Sequence, residues 1–502
     1  MNEFLIDGQL KPGLTNQANS HPIEISIPRR VIDAVNITAY TLPIRAKVQG
    51  QGFTIQEAPG GLVTALSSVD QIGIWRGTAG IPDSPALRRA IERYKGRTKI
   101  GHIGETDEEH TGHYAKAANS YIWPGMHDEL EVWDLKAGME GWSHYESGNI
   151  KFASEIVKTN ASNVVEWVHD YHLFLVAQEV RQLRGNNYQD HLAFFGHIPW
   201  ANINTFSQFP HREQIIRAML HFDSIGLHTK GYVQNFLNAV REFAPYSQIE
   251  QTPQGLVVRT GDHLTKIADI PIGINPEEYA DKIGSSQWRD QVQALRREIG
   301  MPDDTEYMID AGRIDHTKGY PESIESLVAL YQQHPELIGK LSLLLVAQPS
   351  REQIPAYQVL KQKLLSQIKG TNERFQTPNW KPIYHLEGLP REQLIAAISE
   401  ALIAKITPLV DGMNLVAMEA AAYMRKGALV LSQYAGAADQ DVLGKHALLV
   451  NPRRPDEVAK TTFEAYTMPE QERLRLLQGL RGAVHNTTAK TWADKNIALA
   501  AA

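Results

Sequence analysis

Short apolar runs alternate with amphipathic stretches along most of this chain. Ile37-Thr38-Ala39-Tyr40-Thr41-Leu42 reads as a first strand ending at Pro43-Ile44-Arg45, and Gly60-Gly61 then opens an apolar helix over Leu62 to Val69. Asn163 to Val168 is an apolar strand leading into His169-Asp170-Tyr171-His172 and a helix through Arg184. His191 to His197 is the next strand, followed by Ile198-Pro199-Trp200 and a helical stretch over 211–222. Ile270-Pro271-Ile272-Gly273-Ile274-Asn275-Pro276 suits an interdomain crossing, and the same style resumes beyond it. Tyr307 to Ala311, Leu341 to Ala347, Ile383 to Leu386, Ala401 to Ile406 and Ala428 to Ser432 read as strands. Residues 453–502 read as helical, with the last segment packing back across the molecule. This alternation predicts an α/β protein with parallel sheets built from βαβ units.

Length and composition narrow the class. A chain of 502 residues without low-complexity tracts holds two or three domains, and 42% hydrophobic with 21% charged residues is ordinary for a globular enzyme. The division expected is a polar leader over 1–35, an N-terminal domain over 36–270, a C-terminal domain over 271–480 and a final helix over 481–502. A net charge of -7 argues against a general nucleic-acid binder and against attraction to anionic membranes. An anionic ligand must therefore meet a local cluster of Arg and Lys. Zero cysteines remove disulfides, thiol nucleophiles and Cys-ligated zinc. Met1-Asn2-Glu3-Phe4 lacks the form of a secretory signal, and no apolar run approaches the roughly 18 residues of a membrane span. A cytoplasmic protein is the expectation.

The candidate chemistry lies just past strand ends, where parallel α/β sheets bind ligands. In Thr407-Pro408-Leu409-Val410-Asp411-Gly412-Met413-Asn414-Leu415, a tight loop joins a strand to a helix running through Glu419. Its backbone N–H groups and helix dipole suit a phosphate, and Glu419 could accept hydrogen bonds from a ribose; the same pattern also fits a plain turn and cap. Gly60-Gly61 can likewise cradle a phosphate or simply turn the chain. Arg313 and Lys318 are five apart on a loop leaving a strand, and Arg351 follows the next strand. Two cations and glycine N–H groups suit a diphosphate; solvated surface cations are the plainer reading, which the third cation strains. His169, Asp170, His172 and His197 invite a zinc reading, but their spacing at strand ends does not fit a ligand helix. Asp439-Gln440-Asp441 reads as loop charge.

Together these stretches resemble the trehalose-6-phosphate synthase family of retaining glycosyltransferases, from about residue 37 to about 490. The matching segments are Trp167-Val168-His169-Asp170-Tyr171-His172-Leu173, Phe194-Phe195-Gly196-His197-Ile198-Pro199, Gly312 to Gly319, Pro349-Ser350-Arg351, Thr407 to Glu419, Leu431 to Ala438, and Tyr114 with Trp123-Pro124. The resemblance implies a GT-B fold, two Rossmann-like domains facing across a cleft, and no metal or other cofactor. It implies small-molecule substrates: a nucleoside-diphosphate glucose, with UDP-glucose the expected donor, and glucose 6-phosphate as acceptor. Arg313 and Lys318 would hold the donor diphosphate, Glu419 the ribose, and the N–H groups of Asn414 and Leu415 the phosphates, with Gly61 on the donor side. Asp411 and His197 would contact the transferred glucose. Arg45, Tyr114 and Arg351 would bind the acceptor phosphate, with Trp123 and Asp170 on the acceptor itself. A separate phosphatase downstream is implied because no phosphatase-like Asp-X-Asp-X-Thr segment is appended, and a homo-oligomer is compatible with the family.

The departures from the family pattern bear on specificity. Val410 and Met418 stand where most relatives place Arg and Lys, Arg45 follows Leu42-Pro43-Ile44 instead of Ser-Asn, and Trp200 replaces a common Phe. A glucosylglycerol-phosphate synthase using glycerol 3-phosphate shares nearly all these motifs, with Asn and Thr at the positions of His172 and Ile198; the His and Ile here favour the trehalose-type acceptor. Other classes open at this level are a His/Asp metallohydrolase and a non-catalytic sugar-phosphate-binding regulator.

Overall fold

Strands buried on both faces form the centre of each half of the molecule. The computed structural model describes residues 32–502 apart from 51, 59–60, 67–68, 70–71, 160–162, 186–190 and 254. Most of the expected leader, and Gly60, therefore lie outside the described residues. In the first half the strands are β1 (Ala34–Thr41), β2 (Ile44–Gln49), β3 (Gly52–Glu57), β4 (Ile72–Thr78), β5 (Ile100–His102), β6 (Val164–His169), β7 (His191–Phe195), β8 (Ser224–Leu227), β9 (Gln248–Thr252), β10 (Gly255–Thr260) and β11 (His263–Asp269). Among the described residues they make a nine-stranded sheet of order β5-β4-β1-β6-β7-β8-β11-β10-β9, with β2 and β3 as a separate antiparallel hairpin. β6, all buried, pairs parallel with β1 and β7, its one charge, Glu166, neutralised by the buried Arg76 at 2.7 Å. β9 to β11 pair antiparallel with half-exposed faces, which needs only short turns.

The second half holds β12 (Glu306–Arg313), β13 (Leu341–Gln348), β14 (Ile383–Leu386), β15 (Ile403–Ile406), β16 (Ala428–Ser432) and β17 (Leu448–Val450). They form one parallel sheet of order β14-β13-β12-β15-β16-β17. β12 and β15 are neighbours, so the chain reverses direction of travel between them, and this switch point carries the loops after both strands.

The helix Glu470–Asn486 packs on the second half and runs through residue 481, where the sequence suggested a boundary; the crossing back comes at Thr487 and Thr488. Ile274 bridges Thr488 in parallel, and a Cβ on Gly273 would lie 1.7 Å from the Thr487 carbonyl oxygen, so only glycine admits this contact. The last helix, Ala489–Ala501, then docks on β6, β7, β8 and β11 of the first half. Among the described residues no helix is long and apolar enough to cross a membrane.

Candidate active site

The loop after β15 touches the first half backbone to backbone. A Cβ on Gly412 would lie 2.1 Å from the carbonyl oxygen of His197, and one on Gly436 would lie 2.0 Å from the carbonyl of Gly412. Glycine at 412 thus lets the strand end bearing Asp411 meet the one bearing His197. The Tyr232 hydroxyl, from the first half, donates to the Asp411 carbonyl at 3.0 Å. Asp411 in turn accepts from Lys318 at 2.5 Å and from the Asn414 amide at 3.0 Å. Asn414 caps the helix Leu415–Tyr423, taking the Ala417 N–H at 3.0 Å from a left-handed backbone, φ 80°. Gly61, at the start of its helix, abuts Leu415: an added Cβ would lie 2.6 Å from a Leu415 methyl. Arg313, the last residue of β12, is exposed and has no ion pair among the described residues, and its charge acts on Asp315 and Asp170.

Glu419 is buried on the same helix, where burial raises its carboxyl and Arg391, donating at 2.6 Å, opposes the rise. Arg391 also reaches Glu278 at 3.3 Å. Met418 is fully buried in the core, and Val410 is half-buried on the loop, so neither position offers a charge to the cleft.

On the same half, beyond β13, Arg351 is nearly enclosed, its side chain 6% exposed. It pairs with the buried Asp315, donates to the Tyr357 hydroxyl at 2.6 Å and to the Tyr171 hydroxyl at 3.4 Å, and stacks over Trp123 with its guanidinium carbon 4.3 Å from the ring centre. Burial alone would raise Asp315, but Arg351 and Arg313 hold it down at about 2. Tyr114 lies on a π-helical stretch, Thr111–Ile122, a rare coil that frequently marks functional sites. Its ring stacks with Tyr40 at 5.2 Å, His110 at 5.1 Å and His172 at 5.9 Å. Behind this wall the Tyr40 hydroxyl donates to Glu105 at 2.6 Å and His113 meets Glu105 at 2.8 Å. Burial would raise Glu105, yet hydrogen bonds from His110 and His113 hold it well below the usual carboxylate range.

Asp170 sits at the turn out of β6 with φ 76° and accepts the His197 N–H at 3.2 Å. Burial pushes its carboxyl up to about 7, against the pull of two backbone N–H groups, Arg351 and Arg313. Among the described residues five non-glycine positions have positive φ, and Asp170, Arg351 and Asn414 are three of them. Such strain is held where surrounding structure over-determines it, and here it gathers at one cleft.

The structure therefore brings together His197, Asp411, Lys318, Arg313, Asn414, Leu415 and Gly61 on one side, and Arg351, Trp123, Asp170 and Tyr114 on the other. Arg45 departs from expectation: it lies on β2 opposite Gln56, exposed on the hairpin and without an ion pair among the described residues. Sequence reasoning missed Asp315, Tyr171, Tyr357 and Arg391, the partners that hold the site's charged groups. Their signal was faint, because an Asp two residues beyond Arg313 reads as loop charge until Arg351 is seen against it. The histidine and carboxylate groups read as a zinc option do not assemble: among the described residues no cluster of three or more His, Cys, Asp or Glu could hold a metal ion.

Comparison with known proteins follows the same geometry. The model of glycosyltransferase family 20 matches residues 31–501. A UDP-forming alpha,alpha-trehalose-phosphate synthase of Schizosaccharomyces pombe is 31% identical over 480 residues, covering 93% of this chain and 90% of that protein. Another, of Pichia angusta, is 31% identical over 442 residues, covering 87% of this chain and 90% of that one. The crystal structure of a UDP-forming alpha,alpha-trehalose-phosphate synthase from Burkholderia xenovorans superposes with a TM-score of 0.81 at 26% identity, covering 93% of this chain and 98% of that one. The fold is the GT-B arrangement of two Rossmann-like halves.

Proposed function

The chain belongs to glycosyltransferase family 20, and from that premise we propose that it moves glucose from UDP-glucose to glucose 6-phosphate, giving trehalose 6-phosphate and UDP. The observation that carries the reading is the contact of Gly412 with the His197 carbonyl, which sets Asp411 and Lys318 against His197 across the cleft. Its relatives are named as UDP-forming synthases of this type.

Arg313 and Lys318 hold the donor diphosphate, with the N–H groups of Asn414 and Leu415 at the helix start and Gly61 over them. Lys318 exchanges Asp411 for phosphate oxygen, so charge developing on the leaving diphosphate meets two cations. Glu419 takes the ribose hydroxyls, kept in place by Arg391. Asp411 and His197 orient the transferred glucose. Arg351 and Tyr114 bind the acceptor phosphate, with Arg45 available from the hairpin, and Trp123 and Asp170 face the acceptor sugar. The acceptor hydroxyl attacks the sugar carbon on the face the diphosphate leaves, and a diphosphate oxygen takes the hydroxyl proton. Configuration is thereby retained without an enzyme nucleophile.

The division of labour follows the sheets with Arg351 and Gly61 reaching across: residues 36–270 otherwise take the acceptor and 271–480 the nucleotide sugar, with the final helix returned to the first half. A cytoplasmic location and a separate downstream phosphatase belong to the same reading, supported by zero cysteines and by a product that keeps its phosphate. The test is a matrix of UDP-, ADP- and GDP-glucose against glucose 6-phosphate and glycerol 3-phosphate, read by nucleotide release. Fastest turnover with UDP-glucose and glucose 6-phosphate is expected; preference for glycerol 3-phosphate would transfer the protein to the glucosylglycerol-phosphate class.

A further inference from the structure

His169 is the last residue of β6 and is fully buried. Its Nδ1 lies 3.1 Å from Nε2 of His197, so the two rings share one hydrogen bond. Its other nitrogen, Nε2, is buried and has no hydrogen-bond partner among the described residues. That nitrogen sits within an aromatic cage: the Trp167 ring is 4.6 Å and the Trp492 ring 6.1 Å away, centre to centre. The indole nitrogens of Trp167 and Trp492 are buried and equally unpartnered. Burial holds both imidazoles neutral at working pH, with His169 pushed down to about 3 and His197 lowered as well.

A neutral pair sharing one hydrogen bond has two arrangements. If His197 donated, His169 would carry its proton on Nε2, and that N–H would be stranded in the dry cage. An unmade buried donor forfeits its hydration with nothing in return, and orphaned buried N–H groups are rarer than under-used acceptors. If His169 donates from Nδ1, only a ring lone pair is left in the cage. The second arrangement wins.

We propose that His169 is a positioning residue that fixes His197 as its Nδ1–H tautomer, so that His197 presents a donor, and no base, to the cleft. The His197 Nε2 lone pair is spent on His169, and its Nδ1 bears the proton. The backbone of the same residue is fixed by Asp170, which takes its N–H at 3.2 Å. His197 then donates to a hydroxyl of the bound sugar and cannot take the acceptor's proton. This deepens the transferase reading and rests on it: with the side chain excluded as a base, the proton passes to the departing diphosphate.

The test is separable from activity. Long-range 1H–15N correlation on histidine-labelled full-length protein, with the His197 signal identified by its loss in His197→Asn, reports which ring nitrogen carries the proton. A protonated Nδ1 and bare Nε2 are expected in the unliganded wild type, and the reverse would overturn the proposal whatever the enzyme transfers. His169→Phe removes the donor and fills the cage; His169→Asn retains an amide near the Nδ1 position. In His169→Phe the His197 tautomer should redistribute and kcat should fall at least about tenfold, with KM for both substrates within about threefold. His169→Asn should restore the tautomer and most of kcat. Equal loss in both variants, or an unchanged tautomer in His169→Phe, would sink the proposal. An unaltered His197 tautomer with no transferase activity in the wild type would instead refute the functional reading alone.

Discussion

Two ion pairs line the cleft from the second half and behave differently. Lys318 with Asp411 lies on the donor side, its side chains 19% and 17% exposed. Arg351 with Asp315 lies on the acceptor side at 6% and 0%. Both cations follow parallel strands of one sheet, so topology alone would make them equivalent. Burial separates them. Lys318 is a flexible point charge held mainly by one carboxylate, able to change partners when a diphosphate arrives. Arg351 is a planar fork already committed to a carboxylate, two phenols and an indole face, and it joins the halves through Trp123 and Tyr171. One pair stores a charge for use; the other builds the wall against which it is used.

The sharpest way to break this contrast is Arg351→Ala. Removing one partner leaves Asp315 charged and buried, at a cost of about 3–5 kcal/mol, which urea denaturation should show as a lower midpoint. Lys318→Ala should cost under about 1 kcal/mol in the same assay, because its partner is reached by water. Equal losses would erase the distinction.

Gly412→Ala comes next. Its methyl group meets the His197 carbonyl and wedges Asp411 away from the first half, so kcat/KM should drop at least about a hundredfold, about 2.7 kcal/mol. Steady-state rates measured well below the melting temperature check this. Lys318→Ala should lower kcat/KM for the sugar nucleotide by at least about tenfold, about 1.4 kcal/mol, because the charge it removes opposes the leaving diphosphate. Unchanged donor kinetics would place the diphosphate elsewhere.

A further effect is in pH dependence. Burial raises Asp170 to about 7 in the folded chain, while an unfolded Asp titrates near about 3.9. Between those values the folded state binds the extra proton, so stability is fullest below the lower value and declines as pH rises through the upper one. Asp170→Asn should flatten that decline in urea midpoints measured across the window. An unchanged slope would mean that Asp170 is ionised throughout.

The strands of the second half were legible because they are mainly buried and mainly apolar. Ile383–Leu386 and Ala428–Ser432 fall where the pattern put them. Asn163 to Val168 was displaced by one residue, to β6, because Asn163 takes a positive φ of 63° ahead of the ladder. The hairpin of β2 and β3 was missed: its residues are largely exposed, so little hydrophobic alternation marks it, and Arg45 was read as a strand end. β9 to β11 escaped for a similar reason, being half-buried at a sheet edge. At the site, residues past strand ends were found from position in the chain. Asp315, Tyr357, Arg391 and His169 act through contacts made across long separations in sequence, which no local pattern encodes.

The returning helix has a consequence for the order of assembly on the ribosome. Trp492 packs against Trp167 and Phe195, and a Cβ on Gly226 would collide with Asn496, so β6, β7 and β8 are fitted to a segment made after the second sheet. When β1 to β11 have emerged, the part of that face which Trp492 covers is still bare, and it stays bare while the entire second sheet is synthesised. Contacts so distant in sequence form slowly, and an uncovered apolar face is where nascent chains adhere to one another. The thirteen residues of Ala489–Ala501 thus close the earliest-made sheet, and production of this protein should be limited by how well that face is guarded until they arrive.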